Sequence, residues 1–415
     1  MTNSKPTIHT FCRSCGCSNM LSILSLGDQY PSDFVDSTTS VKIPLELVLC
    51  NEDDGGCGLL QLKHTTPRDL LYRKYWFRSG INEALKQILY DITDSAKEIV
   101  SLQNNDIVLD IGCNDGTLLR SYDPKLLRVG FEPASNLVPE ATKDTTLIIN
   151  NYFNFEEFKN NFSEKKCKII TSIAMFYDLD DPNSFVNDVK KCLDENGIWI
   201  LQMAYLPLML EKNSFDNIGH EHIEYYSLKS LNHLIEKHGL TIFDVQINDV
   251  YGGSIRAYIK LKNNTTFNIT SAIDNILNFE KGLGLDKKFV YEEFASRVNK
   301  IKEETLNFLK NETENGKIIY GYGASTKGNT TLQFFDLNPS IIKKISDRDP
   351  NKWNKKTIGT EIPIISEEQA RKDNPDYFLI LPWHFVDYFK SRESDYIKSG
   401  GKFIVALPNF KVISK

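Results

Sequence analysis

The chain has 415 residues, 41% of them hydrophobic and 25% charged, with a formal net charge of −6. At roughly 100–200 residues per domain this gives two to three globular domains with ample apolar material for their cores. The acidic balance argues against a general nucleic-acid binder, and no apolar run approaches the ~18 residues of a membrane span.

The first residues, MTNSKPTIHTF, lack a basic-then-apolar leader pattern. The expectation is a cytoplasmic monomer that handles a small molecule, with no nucleic-acid or membrane partner. Eight cysteines in such a chain do not suggest a disulfide scaffold. Cys113, Cys167 and Cys192 are scattered and read as small buried apolar residues.

Residues 1–75 read as a small metal-stapled module. FCRSCGC places Cys12 and Cys15 on one turn, and LVLCNEDDGGCGLLQL supplies Cys50 and Cys57. Four thiolates form a tetrahedral site that suits zinc and leaves no open position, so the ion is structural. The acidic, glycine-rich insert between Cys50 and Cys57 is expected to loop out. Cys17 is the spare. In the next segment, YWFRSGIN (75–82), Arg78 and Ser79 either cap the following helix or help close a cofactor pocket.

Residues 76–268 alternate short apolar runs with helical patterns, the signature of a parallel α/β sheet. IVLDIG (107–112), RVGFEP (128–133), KIITSIAMF (168–176) and IWILQM (198–203) are the expected strands. SFVNDVKKCL is helical, and Asn196-Gly197 makes a turn. DIGCNDG follows a strand and opens a helix. Gly112 permits a tight turn, Gly116 close approach by a ligand, and Asn114 tolerates left-handed geometry. Glu132 stands 22 residues after Asp110, where an acid meets ribose hydroxyls. A dinucleotide or S-adenosylmethionine would satisfy this loop. The missing G-x-G-x-x-G and the presence of Asp115 favour S-adenosylmethionine, whose sulfonium needs no anion site. Asp110, Gly112, Asn114, Gly116, Glu132 and Ser79 are the candidate cofactor contacts.

FDNIGHEHIEYYS (215–227) holds two of the seven histidines, flanking Glu221. His220, Glu221 and His222 are the candidate catalytic groups. A neutral imidazole can take a proton at pH 7. In an extended segment both histidines share one face; in a turn Glu221 reaches either ring. No third metal ligand is evident nearby. Arg256, after YGGSI, either grips a diphosphate or makes a structural salt bridge.

Residues 269–415 begin with a long helical connector (270–312), its apolar stripe marked by Phe294, Val298, Ile301 and Phe308. A second α/β unit follows, with strands at 341–347, 377–381 and 402–408. In GYGASTKGN (321–329), Gly321 and Gly323 lie between strand and helix. Lys327 and backbone N–H groups can hold a phosphate there; alternatively the turn only packs. Tyr322, Lys327 and Asn329 join Arg256 as candidate substrate contacts. Asp347 ends the next strand in a ribose-like position. His384 stands at the carboxyl end of a sheet, and Trp383 beside it reads as packing.

CRSCG with CGLLQL, YWFRSGIN, DIGCNDG with GFEPA, HEH before an aromatic pair, YGGSIRAYI and GYGASTKGN with SDRDPNKW occur in one order over nearly the whole chain. Together they resemble the three-domain sugar C-methyltransferases that act on nucleotide-linked keto-deoxysugars. The resemblance implies an α/β protein in three parts: a zinc module (1–75), a central class I, Rossmann-like S-adenosylmethionine domain (76–268), and the connector with a C-terminal Rossmann-like substrate domain (269–415). It puts proton transfer on His222 with Glu221 beside it, and substrate between the last two domains. Three positions depart from those relatives: Gly219 and Phe77, where tyrosine is common, and Asp178, where histidine is frequent. O-methylation, a nicotinamide-dependent oxidoreductase on the C-terminal turn, and a non-catalytic sugar-nucleotide binder are the competing readings.

Overall fold

The computed structural model describes residues 6–72, 75–81 and 83–415. Asn82, the last residue of YWFRSGIN, and the first five residues of the N-terminal stretch lie outside them. No helix among the described residues is long and apolar enough to cross a membrane.

The central sheet has seven strands. In chain order they are Ile107–Ile111, Leu127–Phe131, Leu147–Ile149, Cys167–Ile173, Leu193–Ala204, Leu240–Asn248 and Ser254–Leu261. Counted that way, their spatial order is 3-2-1-4-5-7-6, with only the seventh antiparallel. This is a Rossmann-like arrangement, and its order reverses between the first and fourth strands, the place where such sheets bind ligands. The expected turn at Asn196-Gly197 is instead a bulge within the fifth strand. Cys167 pairs with Leu193 and Ile169 with Ile198, so Asp194–Gly197 loop out. The run at 168–176 is strand only to Ile173; Phe176–Asp178 form a 3-10 turn.

The C-terminal sheet has six strands, with Ile319–Tyr322 beside Tyr377–Ile380 at its centre. Five run parallel and Lys411–Ile413 closes the edge antiparallel. The connector is two helices, Ala272–Leu283 and Lys288–Glu314, rather than one. Gly284 ends the first by adopting a left-handed φ of 71°, which an L side chain resists. The apolar stripe of the second is real: Phe294, Val298 and Ile301 are buried.

The N-terminal module is an antiparallel four-stranded sheet of Met20–Gln29, Ile43–Cys50, Leu60–Leu62 and Glu224–Tyr225. Its fourth strand therefore comes from the HEH segment of the central region, with Glu224 opposite Gln61 and Tyr225 opposite Leu60. Phe34–Val35 in turn pairs with Lys356–Thr357 of the C-terminal unit. One apolar cluster runs from the module's Leu45 and Leu47 through Phe294 and Val298 to Ile345 and Leu379. A second joins the cysteines to the central sheet. The module thus packs against both larger units.

Candidate active site

A cleft of about 1650 Å³ lies among the three units. Its walls include the carboxyl ends of both large sheets: Gly112, Asn114 and Met175 on one side, Ser325, Lys327 and His384 on the other.

On the first wall, Gly112 and Asn114 take left-handed φ values of 75° and 52°. The Glu132 carboxylate accepts from Asn114 N at 2.7 Å and Ala134 N at 2.8 Å, and burial pushes it up to about 7. Asp110 accepts from Thr171 Oγ1 at 2.6 Å and is likewise pushed to about 7 by burial. The Asn114 side chain receives Ser79 N at 3.0 Å and donates to Phe77 O at 3.1 Å. The Ser79–Ile81 turn is thereby tied to the glycine loop, and Ser79 borders the cleft. Gly116 differs from the expectation. It does not line the cleft, and a Cβ there would meet Ala141 O at 2.8 Å, so the glycine serves packing. Asp115 also turns away. Its carboxylate accepts from Gly80 N at 2.7 Å and Thr117 Oγ1 at 2.6 Å and anchors the covering turn.

The HEH segment is a turn: His222 N donates to Gly219 O at 3.0 Å. His222 Nδ1 stands 2.9 Å from Asn217 O. A carbonyl only accepts, so Nδ1 carries the proton and Nε2 keeps its lone pair. The ring packs edge-on to Tyr177 at 4.6 Å between centroids. Burial and the nearby Lys327 ammonium hold the imidazole down at about 4. Glu221 also lines the cleft, pushed up to about 7 by burial and the Asp33 charge. Its charge acts in turn on Asp178 and Tyr72. His220 leaves the cleft altogether. It is buried with Nε2 at 2.9 Å from Ile43 O and ties the segment to the N-terminal module.

On the opposite wall, Ser325 caps the helix Thr326–Phe334 by accepting from Gly328 N, and Lys327 sits in its first turn. The Lys327 ammonium is pulled down by burial, is supported by the Asp216 charge, and acts by its own charge on His222 and His384. Asp347 accepts from Ala324 N at 2.7 Å, as Glu132 does from Asn114 N, so both Rossmann-like units hold their glycine turns with an acid from the next strand. Tyr322 lines the cleft, but its hydroxyl is bonded to Glu393 at 2.7 Å. Two expected substrate contacts are structural. Asn329 is buried and donates to Ser32 Oγ and Asp33 O, fastening the N-terminal module to the C-terminal helix. Arg256 is buried against Gln202 Oε1 at 2.7 Å and Asp91 Oδ2 at 2.8 Å, and it does not line the cleft. Trp383 does pack, donating to Asp216 at 3.0 Å.

The Sγ atoms of Cys12, Cys15, Cys50 and Cys57 lie within 4.8 Å of one another. Cys12–Cys57 and Cys15–Cys50 are 3.6 and 3.5 Å apart, close to the roughly 3.8 Å that tetrahedral thiolates take around zinc. Within the set, hydrogen bonds from Cys12 and Cys50 pull the Cys57 thiol down, while Cys12 and Cys50 are themselves pushed up. Backbone N–H groups of Cys17 and Cys57 point at Cys15 Sγ and Cys50 Sγ, at 3.4 and 3.3 Å. Gly56 is pressed so close that a Cβ would meet Cys50 Sγ at 2.6 Å. The donor set fits zinc, and Cys17 is not part of it.

The C-methyltransferase NovU of Streptomyces niveus is 30% identical over 412 residues, covering 97% of this chain and 96% of its own. The chain belongs to the C-methyltransferase family of NovU. Three family models match along it: a zinc binding domain over 12–72, a methyltransferase domain over 81–245 and a C-methyltransferase C-terminal domain over 249–408. Among solved structures it is similar to an S-adenosylmethionine-dependent methyltransferase of Clostridium acetobutylicum (12% identity, 44% of this chain and 93% of that one, TM-score 0.32). It is also similar to magnesium protoporphyrin IX methyltransferase of Synechocystis (12% identity, 45% and 90%, TM-score 0.35).

This C-methyltransferase therefore uses S-adenosylmethionine and carries structural zinc, and its acceptor is a small molecule. Sequence reasoning missed several cleft groups of the enzyme: Tyr72, Asp33 and the half-buried Arg392. Tyr72 donates to Glu221 O at 2.9 Å, and Trp76 donates to Asp33 at 2.8 Å. No motif singled them out: Tyr72 only adjoins the aromatic stretch 75–82, and Asp33 and Arg392 reach the cleft from distant parts of the chain.

Proposed function

We propose that the enzyme transfers methyl to a carbon next to a carbonyl in a nucleotide-linked keto-deoxysugar, with His222 as the base. The observation that carries this is the fixed tautomer of His222, an acceptor nitrogen left free in a cleft between a glycine loop and a lysine-bearing helix start. Bound S-adenosylmethionine supplies an electrophilic methyl group. Gly112, Asn114, Asp110 and Glu132, with Ser79, would hold it. A sugar carbon becomes nucleophilic only when the proton beside a carbonyl is removed. His222 Nε2 accepts that proton. The Lys327 ammonium, which lines the same cleft and acts on the ring by its charge, stabilises the enolate charge in a site shielded from water. The same ammonium weakens the imidazole as a base in the free enzyme; a negative charge arriving between them reverses that effect.

Glu221, pushed to about 7, remains partly protonated at neutral pH and supports the reaction as a hydrogen-bond donor to the acceptor. Ser325 and Lys327 at the helix start suit a diphosphate. Asp178 and Phe77, both on the cleft wall, shape it around the sugar in place of the histidine and tyrosine of similar enzymes.

The deciding experiment is incubation with nucleotide-linked keto sugars in deuterated water without methyl donor. Carbon-bound deuterium beside the carbonyl is the expected result; methyl transfer without any such exchange by the enzyme would favour oxygen as the acceptor. A second expectation concerns the cofactor wall. Glu132→Ala removes a charged acceptor and the support of Asn114, and should raise the dissociation constant for S-adenosylmethionine roughly 10–100-fold by calorimetry. An unchanged constant would remove Glu132 from the cofactor site.

A further inference from the structure

One carboxylate on the cleft wall comes from the N-terminal module and has no task in the chemistry above. Residues 30–33 run along one face of the helix Thr326–Phe334 toward its start. Gln333 clamps Tyr30, accepting from its N–H at 2.8 Å and donating to its carbonyl at 3.1 Å. Asn329 donates to Ser32 Oγ at 2.9 Å and to Asp33 O at 3.0 Å, and Ser32 Oγ donates to Thr326 O at 3.1 Å. Positions 326, 329 and 333 are three and four apart, which puts them on one helix face. Asp33 is thereby delivered to the first turn of this helix, and it borders the cleft with Ser325 and Lys327, the groups that suit a diphosphate.

The Asp33 carboxylate is held from one side only. Oδ1 accepts twice, from Phe34 N at 2.7 Å and from Trp76 Nε1 at 2.8 Å. Trp76 also packs edge-on to Phe34, with ring centroids 5.8 Å apart. Oδ2 has no hydrogen-bond partner among the described residues and stays accessible. Fastening Phe34 and Trp76 needs only Oδ1, a task that a neutral amide oxygen performs equally well, so the second oxygen and the charge are surplus to it. A carboxylate only accepts hydrogen bonds and repels phosphate, so its ligand is a donor next to the diphosphate rather than the diphosphate itself. In a nucleotide sugar that neighbour is the hexose. The strip that anchors Asp33 also reaches the base loop, since Tyr72, four residues before Trp76, donates to Glu221 O at 2.9 Å. The Asp33 charge in turn reaches Glu221.

We propose that Asp33 is a specificity-determining contact: its Oδ2 accepts a hydrogen bond from a ring hydroxyl of the acceptor sugar, so the N-terminal module reads the substrate directly. A sugar lacking that hydroxyl leaves the carboxylate without a partner and is rejected on that ground. This contact rests on the nucleotide-linked sugar of the proposed function, and is independent of His222 being the base.

The test is calorimetry on the full-length, zinc-loaded protein. The ligands are uridine and thymidine diphosphate, their glucose conjugates, and conjugates in which each ring hydroxyl in turn is replaced by hydrogen. In Asp33→Asn the amide oxygen can still accept from Phe34 N and Trp76, so the change is confined to Oδ2, a charged acceptor exchanged for a neutral donor. For the parent, one deoxy conjugate should bind about 10–100-fold more weakly than the glucose conjugate. Asp33→Asn should weaken the glucose conjugate about 5–50-fold, the gap between a charge-assisted bond and a neutral one or none. On that one deoxy conjugate, variant and parent should agree within twofold, as they should on the bare diphosphates and on S-adenosylmethionine. Effects of variant and deoxygenation that simply multiply at every ring position would overturn the proposal, as would equal weakening of the bare diphosphates. If Asp33→Asn does not fold, the same series on Trp76→Phe, which frees the carboxylate from its indole anchor, decides. Coupling of threefold or more at one ring position then supports the contact, and independent losses overturn it. A parent that binds no nucleotide sugar overturns the nucleotide-sugar reading and this contact with it; sugar binding without coupling to Asp33 overturns the contact alone.

Discussion

Replacing His222 by Asn is expected to lower methyl transfer by about 10²–10⁴-fold while leaving the dissociation constant for S-adenosylmethionine within a factor of two. Asn can still donate toward Asn217 O, so the turn Gly219–His222 is kept. What disappears is the free nitrogen, whose proton-bearing twin is fixed 2.9 Å from that carbonyl. The wall proposed to hold the cofactor, Gly112, Asn114 and Glu132, makes no hydrogen bond to the ring. Carbon-bound deuterium exchange in the absence of methyl donor should vanish in step with turnover. A variant that still turns over within threefold of the parent would move the base to another cleft group, Glu221 first.

The pH dependence follows from the same geometry. Burial and Lys327 hold His222 at about 4 in the free enzyme, so kcat/KM should be insensitive to this group above about pH 5 and fall as pH drops through 4, where the ring protonates. The stability consequence has the same sign. The folded-state value lies below the ordinary ~6.5, so the unfolded chain takes the proton first and the fold loses stability as pH falls from about 6.5 toward 4. His220, also held at about 4 by burial, adds to this loss.

The sequence carried the chemistry-bearing turns better than it carried side-chain direction. Strand, glycine turn and next-strand acid are a local pattern with a fixed spacing, so Gly112, Asn114 and Glu132 could be read from it. The four zinc ligands were legible for a similar reason, since thiols have few other uses in such a chain. Arg256 was not, because depth along a strand is invisible in the sequence: Ser254, of the same parity and at the strand end, borders the cleft, while Arg256, two residues further in, is buried and does not border it. Arg256 and Tyr258 point to the helix Glu83–Ile99, where they meet Asp91 and Ser95, while Ile255, Ala257 and Ile259 join the opposite core. Asn329 has three neighbours in its turn that border the cleft, Ser325, Thr326 and Lys327, but helical rotation turns it toward Ser32 and Asp33. The N-terminal sheet was hidden because its last strand, Glu224–Tyr225, is supplied from residues far away in the chain.

That borrowed strand makes zinc removal the second large effect. Cys50 ends the strand Ile43–Cys50, and Cys57 lies three residues before Leu60–Leu62, the strand that pairs with Glu224–Tyr225. Structural zinc contributes on the order of 10–16 kcal/mol to small thiolate sites, far more than the few apolar contacts of the 51–59 loop can replace. Cys50→Ser should therefore lose zinc by metal analysis, free Leu60–Leu62 from its register, and with it release the partner strand two residues beyond His222. Turnover should fall by more than about 100-fold, the upper range for groups that orient a site from behind, whereas S-adenosylmethionine, held by the central sheet, should still bind. Cys17→Ser is the matched control: its Sγ stands outside the four-thiol cluster, so zinc and activity should both persist. Full turnover in a zinc-free Cys50→Ser protein would show that the HEH loop holds its shape through the central unit alone. Loss of zinc in Cys17→Ser would mean that the ion draws on a different set of thiols. Because the ion lies in the N-terminal module and the imidazole in a loop of the central unit, joint loss of both in Cys50→Ser with cofactor binding intact is the outcome that a merely local zinc staple would not produce.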